Sequence, residues 1–463
     1  MKWSGPCRFV SNYWMMRLPF CRRKDRVVTL FASALLFGLF SPIVVSDAKS
    51  SAIERATNSL EERQRTLYTQ LGWRPKHYSR DQLEKINQRE NEQLLATLAT
   101  FPGITKSDID HFRTRLAERN KALGEIRLPT PYEDPFSYQV IRIAATQIDA
   151  AVKEFQKAHS SLPDKALTVP EIIFGTLPTG EIDASTELVN PRDDQSQHVY
   201  LVIFETGFFK FAQAFSDIVA RAIPTSKDGK FQVMDLNRTA VEKHLDVHPE
   251  IVADFEALMR AYLIQGGPYV SATYRTPELP EPYATLSGFL YRSALVFALG
   301  HEYGHVMFSE NDLTVNTRLP MGWSEEYFAD GWGVTLSMLT AGPNTNLEMT
   351  IFGARFFFSC FDMIERGISV VSTGQDSYRA KTRHPPAEKR KEQIPRYVLS
   401  TLRRLWNIEP DSPEKFDRML ESTANIDIVL GILWERIEPD LLKLHNQGAR
   451  LAPSWSILTP RQH

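Results

Sequence analysis

The chain has 463 residues, of which 43% are hydrophobic and 24% are charged, and its formal net charge is −2. This composition is typical of globular proteins and excludes the disordered and fibrous classes. Lys and Arg outnumber Asp and Glu in residues 1–48, so the rest of the chain is mildly acidic. An acidic body gives no electrostatic reason to expect nucleic-acid binding.

The first 48 residues form a predicted leader. The basic stretch CRRKDR (21–26) precedes an uncharged apolar run at 27–46. Positive charge before an apolar run holds the N-terminus in the cytoplasm and sends the following chain across the membrane. A signal peptide cleaved near SDA (46–48) and an uncleaved membrane anchor both fit this pattern. We therefore expect an exported protein, periplasmic or otherwise extracytoplasmic, that is either soluble or tethered by its N-terminus.

Composition divides the remaining chain into three predicted regions. Residues 49–130 are polar and favour helix, and they end at the proline-rich stretch LPTPYEDPF (128–136). Residues 131–400 form a predicted central domain, and residues 401–463 a helical C-terminal region. The only cysteine of this body is Cys360, so no disulfide framework is expected.

Two segments of the central domain favour β-strands. Residues 171–189 predict a hairpin around PTG, and residues 198–223 predict a strand, a turn at Gly207 and a helix. Residues 224–285 are rich in turn motifs and predict an insertion of short helices and loops. Helical patterns dominate the rest, so the expected fold class is α+β, predominantly helical, with a small sheet and helical flanking regions.

The stretch ALVFALGHEYGHVMFSE (294–310) contains the motif H-E-x-x-H, formed by His301, Glu302 and His305. Side chains four residues apart share one helix face, with Cβ atoms about 5–6 Å apart. Both imidazoles can then reach one zinc ion at Zn–N distances of roughly 2.0–2.1 Å. Glu302 beside them can take a proton from a water molecule in an open coordination position.

A third metal ligand is expected in the next helical stretch, GWSEEYFADGWGV (322–334). Glu326 is the preferred candidate, because Asp330 lies four residues later on the same face and can accept the far N–H group of a ligating His. Glu325 is the rival ligand, but it lies about 100° around the helix, away from Asp330.

The stretch TRHPPAEKRKEQI (382–394) supplies the last predicted site residues. His384 precedes two prolines that disfavour helix before them and permit a helix start after them. A His on such rigid backbone can donate to an oxyanion without binding metal. Arg390 can pair with a carboxylate of the site and fix the arrangement.

Taken in order, these elements resemble the gluzincin metallopeptidases, and specifically the Ste24/HtpX-like family, M48. That family has H-E-x-x-H, then E-x-x-x-D with Ala common before the Asp, then H-P with a following Arg. This chain matches the pattern with His301-Glu302-x-x-His305, with Glu326-Tyr327-Phe328-Ala329-Asp330, and with His384-Pro385 and Arg390. The strand and turn within 198–209 are also similar to those that precede the family's active-site helix. The long interval between Gly207 and His301 departs from the family pattern, so the cleft is expected to be lidded or altered.

The resemblance implies a zincin-like catalytic domain over residues 131–400 and one zinc ion per chain. Carried over position by position, it implies zinc binding by His301, His305 and Glu326, proton transfer by Glu302, an orienting role for Asp330 and transition-state stabilisation by His384. The function so implied is that of a zinc metalloendopeptidase acting on proteins or peptides of the cell envelope.

Two rival interpretations remain open from the sequence. A non-catalytic, zinc-stabilised scaffold of the envelope would use the metal without needing Glu302 as a base. A zinc hydrolase acting on a non-peptide amide would share the same site. For a peptidase, we expect the strand near 199–205 to be a sheet edge that pairs with the substrate backbone.

Overall fold

The structure is a computed structural model that describes the greater part of the chain. It describes isolated positions between 82 and 114, position 279, and the segments 47–72, 128–158, 170–189, 198–225, 236–266, 283–310, 322–341, 347–376, 384–406 and 413–452. The predicted leader up to residue 46 therefore lies outside the described residues, as do parts of the predicted 224–285 insertion.

Helices dominate this described part, and they surround one small sheet. The strands are β1 (Glu171–Leu177), β2 (Ala184–Leu188) and β3 (Val199–Glu205). The helices are α1 (Asp47–Gln70), α2 (Pro135–Ala158), α3 (Thr206–Ala222), α4 (Arg238–Val247), α5 (Pro249–Leu263), α6 (Tyr283–Glu310), α7 (Trp323–Ala341), α8 (Leu347–Thr373), α9 (Ala387–Lys391), α10 (Ile394–Trp406) and α11 (Pro413–Asn446). The expectation of a predominantly helical α+β protein is confirmed.

The three strands pair in the order β1-β3-β2. β1 runs parallel to β3, with Glu171 opposite Val199, and β2 runs antiparallel to it, with Thr186 opposite Val202. The predicted hairpin within 171–189 is therefore wrong, because β1 and β2 do not pair with each other. Instead, β3 lies between β1 and β2, and the segment that contains PTG connects these two outer strands.

The expectation that residues 199–205 form a sheet edge is also wrong, because β3 is the central strand. Its sequence VYLVIF is apolar without alternation, and all six residues are buried. Such a run is typical of a strand that is covered on both faces. Tyr200, Val202 and Phe204 point into the main core, and Leu201 and Ile203 cluster with Leu60 of α1. The edge strands are β1 and β2.

β3 passes directly into α3, which begins at Thr206. Gly207 thus lies in the first turn of a helix and not in a separate turn. A Cβ atom at this position would lie 2.3 Å from the carbonyl oxygen of Glu181, so only glycine lets the segment before β2 pack against the start of α3.

The main core is continuous from the sheet to the C-terminal helix α11. Phe297 of α6 packs against Phe357 and Phe358 of α8, with ring centroids 5.0 and 5.2 Å apart. α5, from the predicted insertion, contributes Phe255, and α11, from the predicted C-terminal region, contributes the fully buried Trp434. Both segments therefore help to hold the helices on which the predicted site residues lie.

No helix among the described residues is long and apolar enough to cross a membrane.

A buried polar cluster joins α1 to β1. Glu133, 3% exposed, accepts hydrogen bonds from the backbone N–H of Thr176 at 3.1 Å, from the Thr176 hydroxyl at 2.6 Å and from the Gln64 amide at 2.7 Å. Burial raises the pKa of Glu133 to about 7, although these hydrogen bonds oppose the shift. The folded protein therefore binds a proton here that the unfolded chain releases at lower pH.

The free energy of unfolding should fall as the pH rises from about 4.5 to about 7. The folded state binds the Glu133 proton more tightly than the unfolded state does. This difference contributes roughly 3 kcal/mol to the free energy of unfolding at low pH, and the contribution is lost as the pH rises through this interval. Urea unfolding at several pH values should show this slope in the wild type and a weaker slope in Glu133→Gln. Glu54→Gln, at an exposed position of α1, should keep the wild-type slope. Equal slopes for wild type and Glu133→Gln would contradict the assignment.

Candidate metal centre

The two imidazoles of the H-E-x-x-H motif meet on one face of α6. The Nε2 atoms of His301 and His305 lie 3.1 Å apart, and the ring planes are almost perpendicular, at 89°. His301 and Glu302 are each 6% exposed. Two ring nitrogens this close cannot both carry a proton without repulsion, so the pair is arranged to share one proton or one cation.

Glycines let α7 approach α6 closely at the motif. A Cβ atom at Gly304 would lie 2.5 Å from the Cα of Ala329, and one at Gly300 would lie 3.2 Å from the Cα of Gly333. Larger residues at these positions would separate the two helix backbones. The glycine inside the motif therefore brings the α7 carboxylates to the imidazoles.

Glu326 of α7 faces both imidazoles. Its Oε2 lies 3.5 Å from Nε2 of His301, and its Oε1 lies 3.6 Å from Nε2 of His305. Oε2 is buried without a hydrogen-bond partner, although the Arg390 guanidinium is 3.2 Å away. A buried carboxylate oxygen in this situation favours additional positive charge nearby.

Each ring is held from its other side by a second carboxylate of α7. Asp330 lies 3.0 Å from Nδ1 of His301, and Glu325 lies 2.8 Å from Nδ1 of His305. Such contacts orient the Nε2 atoms of both rings towards a common point. Glu325, the rival ligand, thus contacts Nδ1 of His305, the nitrogen that faces away from His301. Its spacing in the sequence did not predict this contact.

The segment around α9 closes the site. Arg390 donates to both oxygens of Asp330, at 2.6 and 2.9 Å, and is stacked on Phe358. His384 lies at the rim, with its side chain 51% exposed and its Nδ1 2.9 Å from Oε1 of Glu326. The structure therefore brings together all seven predicted site residues, namely His301, Glu302, His305, Glu326, Asp330, His384 and Arg390.

The site is rich in carboxylates, and their charges shape the local protonation. Burial alone would lower the pKa of His305, but its hydrogen bond to Glu325 and the surrounding carboxylates raise it to about 9. Burial alone would raise the pKa of Glu326, but hydrogen bonding to His384 and the nearby positive charges hold it far below its usual range. These shifts favour the ionised form of Glu326 and the protonated form of His305.

The hydroxyl of Thr186 donates to Oε2 of Glu302 at 2.7 Å. Sequence reasoning missed this contact between the edge strand β2 and the motif. No local pattern could have revealed it, because it depends on how the sheet lies across α6.

Among the described residues, His301, Glu302 and His305 form a cluster that could hold a metal ion, with one ligand atom from each within 4.8 Å of the others. Comparison of the chain with protein-family models, with curated proteins and with solved structures finds no match in any of the three.

Replacing Gly304 by Ala should damage both stability and the site. The added methyl group would overlap Ala329 and force α6 and α7 apart, at a cost of about 1–3 kcal/mol. The melting temperature should fall, and so should the affinity for divalent metal, measured by titration.

Gly288→Ala, on the same helix, is the matched control, because a Cβ atom there meets nothing within 4 Å. This change should leave stability unaltered or raise it by about 0.5–1 kcal/mol through helix propensity. If Gly304→Ala is as stable as Gly288→Ala and binds metal equally well, the close crossing does not govern the site.

Proposed function

We propose that the protein is a zinc-dependent metalloendopeptidase with His301, His305 and Glu326 as its metal ligands. The observation that carries this proposal is the convergence of two Nε2 atoms and one buried carboxylate, supplied by two helices, on a single point. The same convergence supports the resemblance to the Ste24/HtpX-like peptidases, which rests on the order of the motifs.

The spacing of the ligand atoms suits a tetrahedral ion. Ligands at about 2.1 Å from zinc, in tetrahedral directions, lie about 3.4 Å from one another. The two Nε2 atoms lie 3.1 Å apart, and the Glu326 carboxylate lies at a similar distance from each, with Oε2 3.5 Å from Nε2 of His301 and Oε1 3.6 Å from Nε2 of His305. Three protein ligands leave the fourth position open, which is the arrangement of catalytic rather than structural zinc sites.

The reaction that fits these residues is hydrolysis of a peptide bond. A zinc ion held there would supply Lewis-acid chemistry, lowering the pKa of water and polarising a carbonyl group. Glu302 accepts a proton from the attacking water and passes it to the leaving amine. His384, at the rim, donates a hydrogen bond to the carbonyl oxygen as negative charge develops there.

An extended peptide is the proposed substrate form, because β2 is an edge strand beside the site. Among the described strands, β2 pairs only with β3, and Thr186 in its middle contacts Glu302. A substrate segment that pairs with the open edge of β2 therefore lies next to the proposed base. An envelope location for the substrate follows from the export signal expected in residues 27–46.

Metal content tests the ligand assignment. The purified protein should retain about one zinc ion per chain after dialysis, and His301→Ala should lose it, because two ligands do not hold zinc against dilution. Elemental analysis measures this directly. His248→Ala, at a partly exposed His outside the site, should retain the metal, whereas retention by His301→Ala would contradict the assignment.

Glu302→Gln tests the proposed chemistry. This variant should keep its zinc and its melting temperature but lose at least about 10²-fold in the rate of casein cleavage, because the amide cannot accept the proton. Glu54→Gln, at an exposed position on α1, should cleave at the wild-type rate. A zinc-stabilised scaffold predicts instead that metal removal lowers stability and that neither variant changes any activity.

A further inference from the structure

The middle of the edge strand β2 lies over the proposed base. Thr186, partly buried, places its hydroxyl 2.7 Å from Oε2 of Glu302. Among the described residues no hydrogen bond reaches the other oxygen of Glu302, Oε1. One oxygen of the proposed base is thus held by the sheet.

The alternation of side chains along β2 explains why this contact is made by Thr186 and not by its neighbours. Ala184 and Leu188 lie on the same face as Thr186 and pack against the main core. Ser185 and Glu187 lie on the opposite face, where Ser185 is exposed and Glu187 pairs with Arg63 of α1 at 2.6 Å. The pairing of Thr186 with Val202 of β3 therefore determines which hydroxyl reaches the base.

A single hydroxyl donor suits a carboxylate that must act as a base. A hydrogen bond to an ionised acceptor is stronger than one between neutral groups, so Thr186 restricts the rotation of the Glu302 carboxylate. Proton transfer depends steeply on distance and direction, and a carboxylate held in one orientation therefore reacts faster than a rotating one.

We propose that Thr186 is a positioning residue for the general base, so that the edge strand which flanks the cleft also sets the orientation of Glu302. This inference rests on the proposed function. It assigns to β2 a part in the chemical step in addition to its expected pairing with substrate.

Three single variants test the proposal in the zinc-loaded full chain. Thr186→Val keeps the shape of the side chain but removes the hydroxyl, Thr186→Ser keeps the hydroxyl, and Ser185→Ala removes a hydroxyl from the opposite face. We expect kcat for a peptide substrate to fall about 10- to 100-fold in Thr186→Val, with KM and zinc content unchanged. Thr186→Ser should recover most of kcat, and Ser185→Ala should match the wild type.

A second measurement does not depend on catalysis or metal. Urea unfolding of the metal-free Thr186→Val, Glu302→Met and double variants gives the coupling between the two side chains. We expect a coupling of about tenfold in the unfolding equilibrium constant, as for a hydrogen bond to a charged acceptor. Additive effects would overturn the proposal.

The outcomes separate the two ideas. If the zinc-loaded wild type cleaves no peptide, the proposed function fails, and the positioning role fails with it. If the wild type cleaves but Thr186→Val has the same kcat, only the positioning role is overturned. A change in KM alone, or loss of zinc from Thr186→Val, would also overturn it, because either result assigns Thr186 to substrate contact or to metal retention.

Discussion

The site depends on the close approach of two helix backbones. Gly304 leaves room for Ala329, and Gly300 leaves room for Gly333, so α7 lies close against the motif face of α6. Because the helices are this close, the short side chain of Asp330 contacts Nδ1 of His301, and the carboxylate of Glu326 faces both imidazoles. Side chains larger than glycine at these crossing points would hold the helices apart, and the polar groups of α6 would then be buried without partners.

Burying so many ionisable groups is unfavourable unless their charges are balanced. Glu302, Glu326 and Asp330 are all nearly inaccessible to solvent, and among the described residues Arg390 is the permanently charged cation in contact with Glu326 and Asp330. Arg390 neutralises Asp330 through two hydrogen bonds, and its Nη2 atom also lies 3.2 Å from Oε2 of Glu326 and 3.4 Å from Nε2 of His301. The buried carboxylates thus outnumber the permanent positive charge in contact with them, which makes the centre favourable for additional positive charge.

Much of this site could be predicted from local spacing. Residues four apart on a helix share a face in any tertiary context, so the pairing of His301 with His305 followed directly from the motif. The strand at 199–205 and the helix after it were also predictable from their apolar runs. The hairpin and the edge position of that strand were wrong, because strand order is set by which faces are covered. Here α1 and the main core cover both faces of β3, and β1 and β2 occupy both of its edges.

The amino-acid sequence by itself determined which side chains could share a helix face, which segments had to be buried, and the order of the three motif elements along the chain. Only the tertiary structure decided that Glu325 contacts Nδ1 of His305 and that Thr186 reaches Glu302. The physical reason differs between the two contacts. The contact of Thr186 joins elements far apart in sequence, and the contact of Glu325 depends on the direction in which α7 presents its side chains to α6. Such directions follow from backbone packing at glycine contacts and from sheet register, neither of which is a property of a local stretch of chain.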